Sequence, residues 1–221
     1  MNKSLTAQRK RAFTLVEMIG VLAIIAVLAV VIAPKVFGAI RSSRINGTLV
    51  SIDTFKTAAA EFVGKYGTIP TTNNRSRLDD LFMEAGLVDE RFSAKIGLQG
   101  DVYAQTGATW TRGTNGVWTA NGGSNQTAVS RIICGVANAN APETAGGRNF
   151  RLDGTNNMAS GARIISAWLE GVPEAEAREL SERVDGEGLS TETGADGLGK
   201  VVYRAPNGNG LTDVYIYMMH Q

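Results

Sequence analysis

Residues 13–33, Phe-Thr-Leu-Val-Glu-Met-Ile-Gly-Val-Leu-Ala-Ile-Ile-Ala-Val-Leu-Ala-Val-Val-Ile-Ala, decide the architecture of this 221-residue chain. Met18 to Ala33 carries no charge, and the 21-residue stretch has the ~20 residues that a helix needs to cross a bilayer. Glu17 breaks the pattern. A lone carboxylate costs about 2.5–3.5 kcal/mol at the middle of a membrane helix and less toward its ends, so one found there is read as functional and needs a partner. A positive charge at the same depth would serve. Cleavage between Ala12 and Phe13 would create one, the new α-amino group of Phe13, and a neighbouring copy could present it.

Outward from this stretch, Lys3, Arg9, Lys10 and Arg11 make the first twelve residues strongly basic, with no acid among them. An ordinary secretory signal has a shorter apolar core, 7–15 residues, with its small-residue cleavage site after that core. Here the apolar run is longer, and the chain beyond Ala29 and Ala33 continues as a helix. A basic leader, a small residue, Phe-Thr-Leu-x-Glu and an apolar helix together resemble the prepilin signal of type IV pilins and type II secretion pseudopilins. The resemblance implies that a membrane-embedded prepilin peptidase cuts between Ala12 and Phe13 and N-methylates Phe13. It makes Glu17 the fifth mature residue, with an assembly role, and Pro34 the twenty-second, where many members carry a helix-kinking proline. The family usually has Gly before the cut; this chain has Ala12.

The formal charge is +1 for the whole chain and, without the leader, −3, from 18 basic and 21 acidic residues. Such a balance gives no reason to expect nucleic acid as the main partner. Cytoplasmic Lys and Arg orient membrane helices, which keeps the leader inside and sends the C-terminal domain out. Cys134 is the sole cysteine, so no intramolecular disulfide can form, and its apolar run Ile132-Ile133-Cys134 reads as a buried strand. Many of the 26 glycines fall after residue 97, between apolar strands, which reads as turn-rich β structure.

Residues 13–67 read as one long helix: 13–34 membrane and filament core, 35–67 amphipathic. Ile45, Leu49, Ile52, Phe55, Ala59, Phe62 and Tyr66 recur every three or four positions, the spacing of one buried face. Pro34 is expected to kink the helix, and Gly64, Gly67 and Ile69-Pro70 to stop it. Gly20, Ala23, Ala26, Ala29 and Ala33 form a small-residue stripe that lets helices approach closely in lipid. The stretch Asp53–Pro70 resembles the same region of major pseudopilins.

Residues 68–221 read as a single α+β head. A short helix is expected near Arg75–Ala85, ended by Gly86. Strands are expected between Asp101 and Val136, with a hairpin around Arg112-Gly113-Thr114-Asn115-Gly116, and a short one at Phe150–Gly154. Arg163–Leu169 is β-like but ambiguous with helix. Pro173 is expected to open a helix through Val184 from its first position. Lys200–Arg204 and Asp213–Met218 close the chain as strands.

Chemistry-bearing patterns are sparse. His220, the single histidine, sits beside the C-terminus on an expected frayed end, which argues against His-based catalysis. No Gly-rich phosphate loop follows a strand. Asp185, Glu187, Glu192 and Asp196 could hold Ca²⁺, which takes six to eight oxygen ligands, and the resemblance adds a motive, since major pseudopilins use a C-terminal Ca²⁺ loop. A solvated turn is the favoured reading of the same acids, so no cofactor is assigned beyond that possible Ca²⁺. Trp110, Trp118 and Trp168 read as core residues in preference to an exposed glycan- or DNA-binding surface.

The sequence thus reads as α+β, a long N-terminal hydrophobic helix packed on a C-terminal antiparallel sheet, and as a structural subunit instead of an enzyme. The resemblance implies a filament of the type IV pilus or type II secretion kind. Its implied partners are prepilin peptidase, identical or related pilin subunits and an inner-membrane assembly platform. The implied location is the bacterial inner membrane, single-pass, with the filament in the periplasm or on the cell surface. The alternative is a membrane-anchored periplasmic binding or enzymatic domain that uses the helix only as a tether.

Overall fold

The computed structural model describes residues 13–73, 75–100, 107–123, 130–191 and 193–221. The basic leader with Ala12, the first part of the Asp101–Val136 segment and Glu192 lie outside the described residues. The chain divides into two compact units between Ser42 and Ser43.

Helix α1 runs Leu15–Tyr66 and remains helical through Pro34. Its first 28 residues fall in the N-terminal unit, where apolar side chains from Phe13 to Ile40 are exposed. In the second unit, Ile45, Ile52, Phe55, Ala59 and Phe62 are buried, as their spacing requires. Leu49 and Tyr66 pack half-buried against the same core. The helix stops at Gly67, whose positive φ of 87° suits a residue without a Cβ.

Helix α2, Leu78–Glu84, is shorter than the expected 75–85. Leu78, Leu81 and Phe82 point inward. Its end closes as a Schellman motif, with Leu87 N–H donating to Phe82 O (2.9 Å) and Gly86 N–H to Met83 O (3.0 Å). The expected hairpin forms a separate two-stranded sheet from β1 (Thr109–Arg112) and β2 (Trp118–Asn121), pairing Trp110 with Ala120 and Thr111 with Thr119.

The main sheet is antiparallel, in the order β3-β4-β6-β5, from β3 Arg131–Val136, β4 Arg163–Pro173, β5 Val201–Tyr203 and β6 Leu211–His220. The ambiguous 163–169 segment is therefore strand, longer than its sequence pattern suggested. A register shift between Leu169 and Val172 brings Val172 to the core. Pro173 ends β4 and acts as the N-cap of α3 (Glu174–Asp185), one position before the place expected for it. Phe150–Gly154 forms no strand. Arg151 makes a single bridge to Gly199, while Phe150 fills a small apolar cluster.

One face of the main sheet holds Cys134, Ile165, Ala167, Leu169, Val214 and Ile216 against the buried faces of α1, α2 and α3. On the other face Ile164, Val202 and Tyr215 pack with Phe150 and Ala137 from the long connection between β3 and β4. The C-terminal end is ordered, contrary to the frayed tail expected. His220 pairs with Ile164, and the Gln221 side chain accepts from Ile69 N–H (3.0 Å) and donates to Gly67 O (2.9 Å). The architecture is α+β, a long apolar helix followed by antiparallel sheets.

Candidate functional site: the N-terminal helix

Thr14 and Glu17 form a reciprocal cap at the start of α1. Thr14 donates both its backbone N–H and its hydroxyl to Glu17 Oε2, each at 2.8 Å, while Glu17 N–H donates to Thr14 Oγ1 at 3.3 Å. This is a capping box, in which two otherwise orphaned backbone donors are satisfied by the two side chains. The sequence carries this box as Thr14-Leu15-Val16-Glu17, a signal separate from the charge of Glu17. The cap also lowers the cost of holding the carboxylate in an apolar segment. An ionised carboxylate has about four acceptor positions, so two donors on Oε2 leave room for a further cation.

Behind the cap the helix is bare. Phe13 is 79% exposed, and none of the most apolar 18-residue window of α1 is buried. This helix is long and apolar enough to cross a membrane. Exposed apolar surface on this scale marks a membrane or protein contact, and here it falls on the same segment that carries the charge-free run. Pro34 lies within the helix and costs one backbone hydrogen bond there.

The other candidates from the sequence stand apart from this site. Asp185 accepts the backbone N–H groups of Lys200 and Val201, both at 2.8 Å. Gly199 makes that approach possible, since its φ is 70° and a Cβ there would overlap the Asp185 carboxylate. Asp196 accepts from Ser181 Oγ (2.8 Å) and Leu198 N–H (3.0 Å). Burial pushes both carboxyls above the usual aspartate range, against the opposing pull of those hydrogen bonds. Glu187 is exposed on a 3₁₀ turn. Among the described residues no three His, Cys, Asp or Glu side chains gather as a metal-binding group. His220 Nδ1 lies 2.6 Å from Tyr217 Oη. Trp110 is buried and donates to Arg77 O (3.0 Å). Trp118 packs beside Phe62 and Tyr66. Trp168 differs, standing on the outer face of the sheet with the Arg131 guanidinium 3.9 Å from its ring centre.

Comparison with protein families matches residues 7–33 to the prokaryotic N-terminal methylation motif. No curated protein and no solved structure matches the chain. The matched span covers the leader's basic cluster, the Ala12–Phe13 bond, the Thr14–Glu17 cap and the charge-free run. Such a motif indicates a pilin-like protein processed by prepilin peptidase, and with the apolar helix it points to a single-pass membrane anchor. Residues 7–33 of this chain are the prepilin-type signal of type IV pilins and pseudopilins.

Proposed function

We propose that this chain is a structural subunit of a type IV pilus-like or type II secretion pseudopilus filament, not an enzyme. The observation that carries the reading is the exposed apolar first part of α1, joined to a cleavage and methylation signal. A soluble domain gains nothing from such a surface, whereas a subunit that passes from membrane to filament buries it in both places.

In this reading prepilin peptidase cuts between Ala12 and Phe13 and methylates the new Phe13 amine. The single-pass subunit then waits in the inner membrane with residues 68–221 outside the cytoplasm, and an assembly platform moves it into a helical polymer. Glu17 meets the Phe13 amine of an adjacent subunit. In a low-dielectric bundle a pair of opposite charges attracts far more strongly than in water, which fixes the axial offset between subunits. The Thr14 cap holds the Glu17 carboxylate at the helix start, where that amine arrives. Pro34 supplies a bend at the boundary between the filament-core segment 13–34 and the amphipathic segment 35–67. Many type IV pilins close a C-terminal loop with a disulfide, which Cys134 alone cannot form, and this together with the Asp53–Pro70 resemblance favours the pseudopilin side. A Ca²⁺ role for Asp185, Glu187 and Asp196 is less favoured, because two of the three carboxylates already bind backbone or hydroxyl donors.

The test is Glu17→Ala beside Glu17→Leu. Both variants are expected to be cleaved normally and to fail in assembly. Normal filaments from either would contradict the role of Glu17, and full function from Glu17→Leu would favour the tether.

A further inference from the structure

The outer face of the main sheet holds a groove of about 930 Å³ along β3, in the size range of ligand sites. Ile133, Gly135, Trp168 and Tyr215 line it from the sheet. Its charged lining consists of Arg75, Arg131 and Arg148, with no acid among the described lining residues. The absence of acids is notable because the chain without its leader carries more acidic than basic residues.

The three arginines differ in what they can do. Arg131 is 2% exposed and stands over the Trp168 ring, with Glu170 at 4.0 Å. Burial lowers its pKa to about 10, which still leaves it cationic at neutral pH. It fixes a guanidinium beneath the groove, its charge partly offset by Glu170. Arg75 and Arg148 are exposed and can close on a ligand. Gly135 makes room for Arg148, since a Cβ there would overlap the arginine's Cγ and Cδ.

Two kinds of polyanion, single-stranded nucleic acid and an acidic peptide, fit such a groove poorly. Single-stranded nucleic acid needs open aromatic faces for its bases. Here Arg131 covers the Trp168 ring, Tyr215 packs beside it at 5.6 Å between centres, and Tyr215 itself is 5% exposed. An acidic peptide adding as a strand needs free main-chain groups on the sheet edge. At the middle of β3, Cys134 N–H donates to Thr72 Oγ1 (3.0 Å), and Cys134 O accepts from Thr72 N–H (2.8 Å). A saccharide needs neither. Its hydroxyls find Thr71 and Asn73 in the lining, and its carboxylates find arginine forks.

We infer that this groove binds an acidic oligosaccharide of the uronate type, with its carboxylates on Arg75 and Arg148 above the buried Arg131. The site lies wholly within the second unit, so the inference is independent of filament assembly.

The experiment is calorimetric titration of the full chain in detergent micelles with a short oligogalacturonate. A neutral oligoglucose, a single-stranded oligonucleotide and oligoglutamate are run beside it. Saturable binding of the uronate alone is expected, weakened at least tenfold in Arg75→Ala/Arg148→Ala and unchanged in Arg178→Ala, an exposed α3 residue outside the groove lining. Arg75 and Arg148 are exposed, so the double variant is expected to melt with the parent, and melting is measured in parallel. Hydrogen exchange on the unmodified chain, with and without the uronate, provides a readout independent of any variant, with protection expected in 131–136 and 146–148. Absence of uronate binding, undiminished binding by the double variant, or protection elsewhere would overturn the site. Equal or tighter binding of the oligonucleotide or oligoglutamate would overturn the ligand class.

Discussion

Replacing Arg77 by Met is expected to destabilise the second unit more than any exposed substitution, while replacing Arg77 and Asp79 together costs much less. Both side chains are fully buried and ion-paired. Arg77 Nε donates to Asp79 Oδ1 at 3.0 Å, and its Nη2 donates to the same carboxylate and to Ser130 O at 3.0 Å. Asp79 also accepts Phe92 N–H at 3.2 Å. Removing one member strands the other charge out of water, which costs about 3–5 kcal/mol. At about 2–4 °C per kcal/mol for a domain of this size, the melting temperature falls by about 6–20 °C. Arg77→Met/Asp79→Leu removes both charges, together with Arg77 Nη1, which has no hydrogen-bond partner among the described residues. Replacing both members of a buried pair by apolar groups is often neutral. The assay is thermal unfolding of the full chain in detergent, followed by tryptophan fluorescence, for the parent, Arg77→Met, Asp79→Leu and the double variant. Strong non-additivity is expected, since the residues touch. Single-variant shifts under 2 °C, or additive losses in the double variant, would refute the assignment of a coupled buried charge pair.

Three further outcomes can be measured. Phe62 is fully buried, with ring centres at 4.8 Å from Tyr66, 5.8 Å from Phe82 and 6.1 Å from Trp118. Phe62→Ala is therefore expected to cost about 3–5 kcal/mol in denaturant unfolding, and a loss under 1 kcal/mol would contradict its central position. Desolvation raises the Cys134 thiol to about 12, so a thiol reagent at pH 8 is expected to label only the unfolded chain; rapid labelling of the native protein would contradict that burial. Asp153 is held to about 2, from 3.8, by hydrogen bonds from the backbone and side chain of Asn156 and the backbone of Thr155. Its contribution to stability is thus fully present above the unfolded value and is lost as pH falls toward about 2. Carboxyl NMR of Asp153 is expected to show a midpoint near 2, and a midpoint near 3.8 would contradict the turn.

The parts of the fold that sequence disclosed are those where one local rule dominates. The three-to-four spacing from Ile45 to Tyr66 could only be a helix with one buried face. The Gly-rich turn after Arg112 could join the flanking Trp-Thr segments only as a hairpin. The Arg77–Asp79 pair, in contrast, carries no local mark of burial. Its burial follows from Phe92 and Ser130, 13 and 51 residues beyond Asp79, which no local pattern connects. His220 read as frayed because the tie between Gln221 and the Gly67–Ile69 turn spans more than 150 residues. Pro173 was misplaced by one position because β4 runs directly into α3, so a single residue ends one element and caps the next. At the N-terminal site, Glu17 was conspicuous as a charge among apolar residues. The role of Thr14 required reading the same four residues as a helix cap.

Cleavage between Ala12 and Phe13 is decided by mass spectrometry of the native N-terminus, on filaments sheared from cells and on the membrane fraction. The expected result is a chain beginning with N-methylated Phe13. Abundance in the sheared fraction would mark a surface pilin, and confinement to membranes a pseudopilin or minor subunit. A chain still beginning at Met1 in both fractions would contradict the account and leave the helix as a tether.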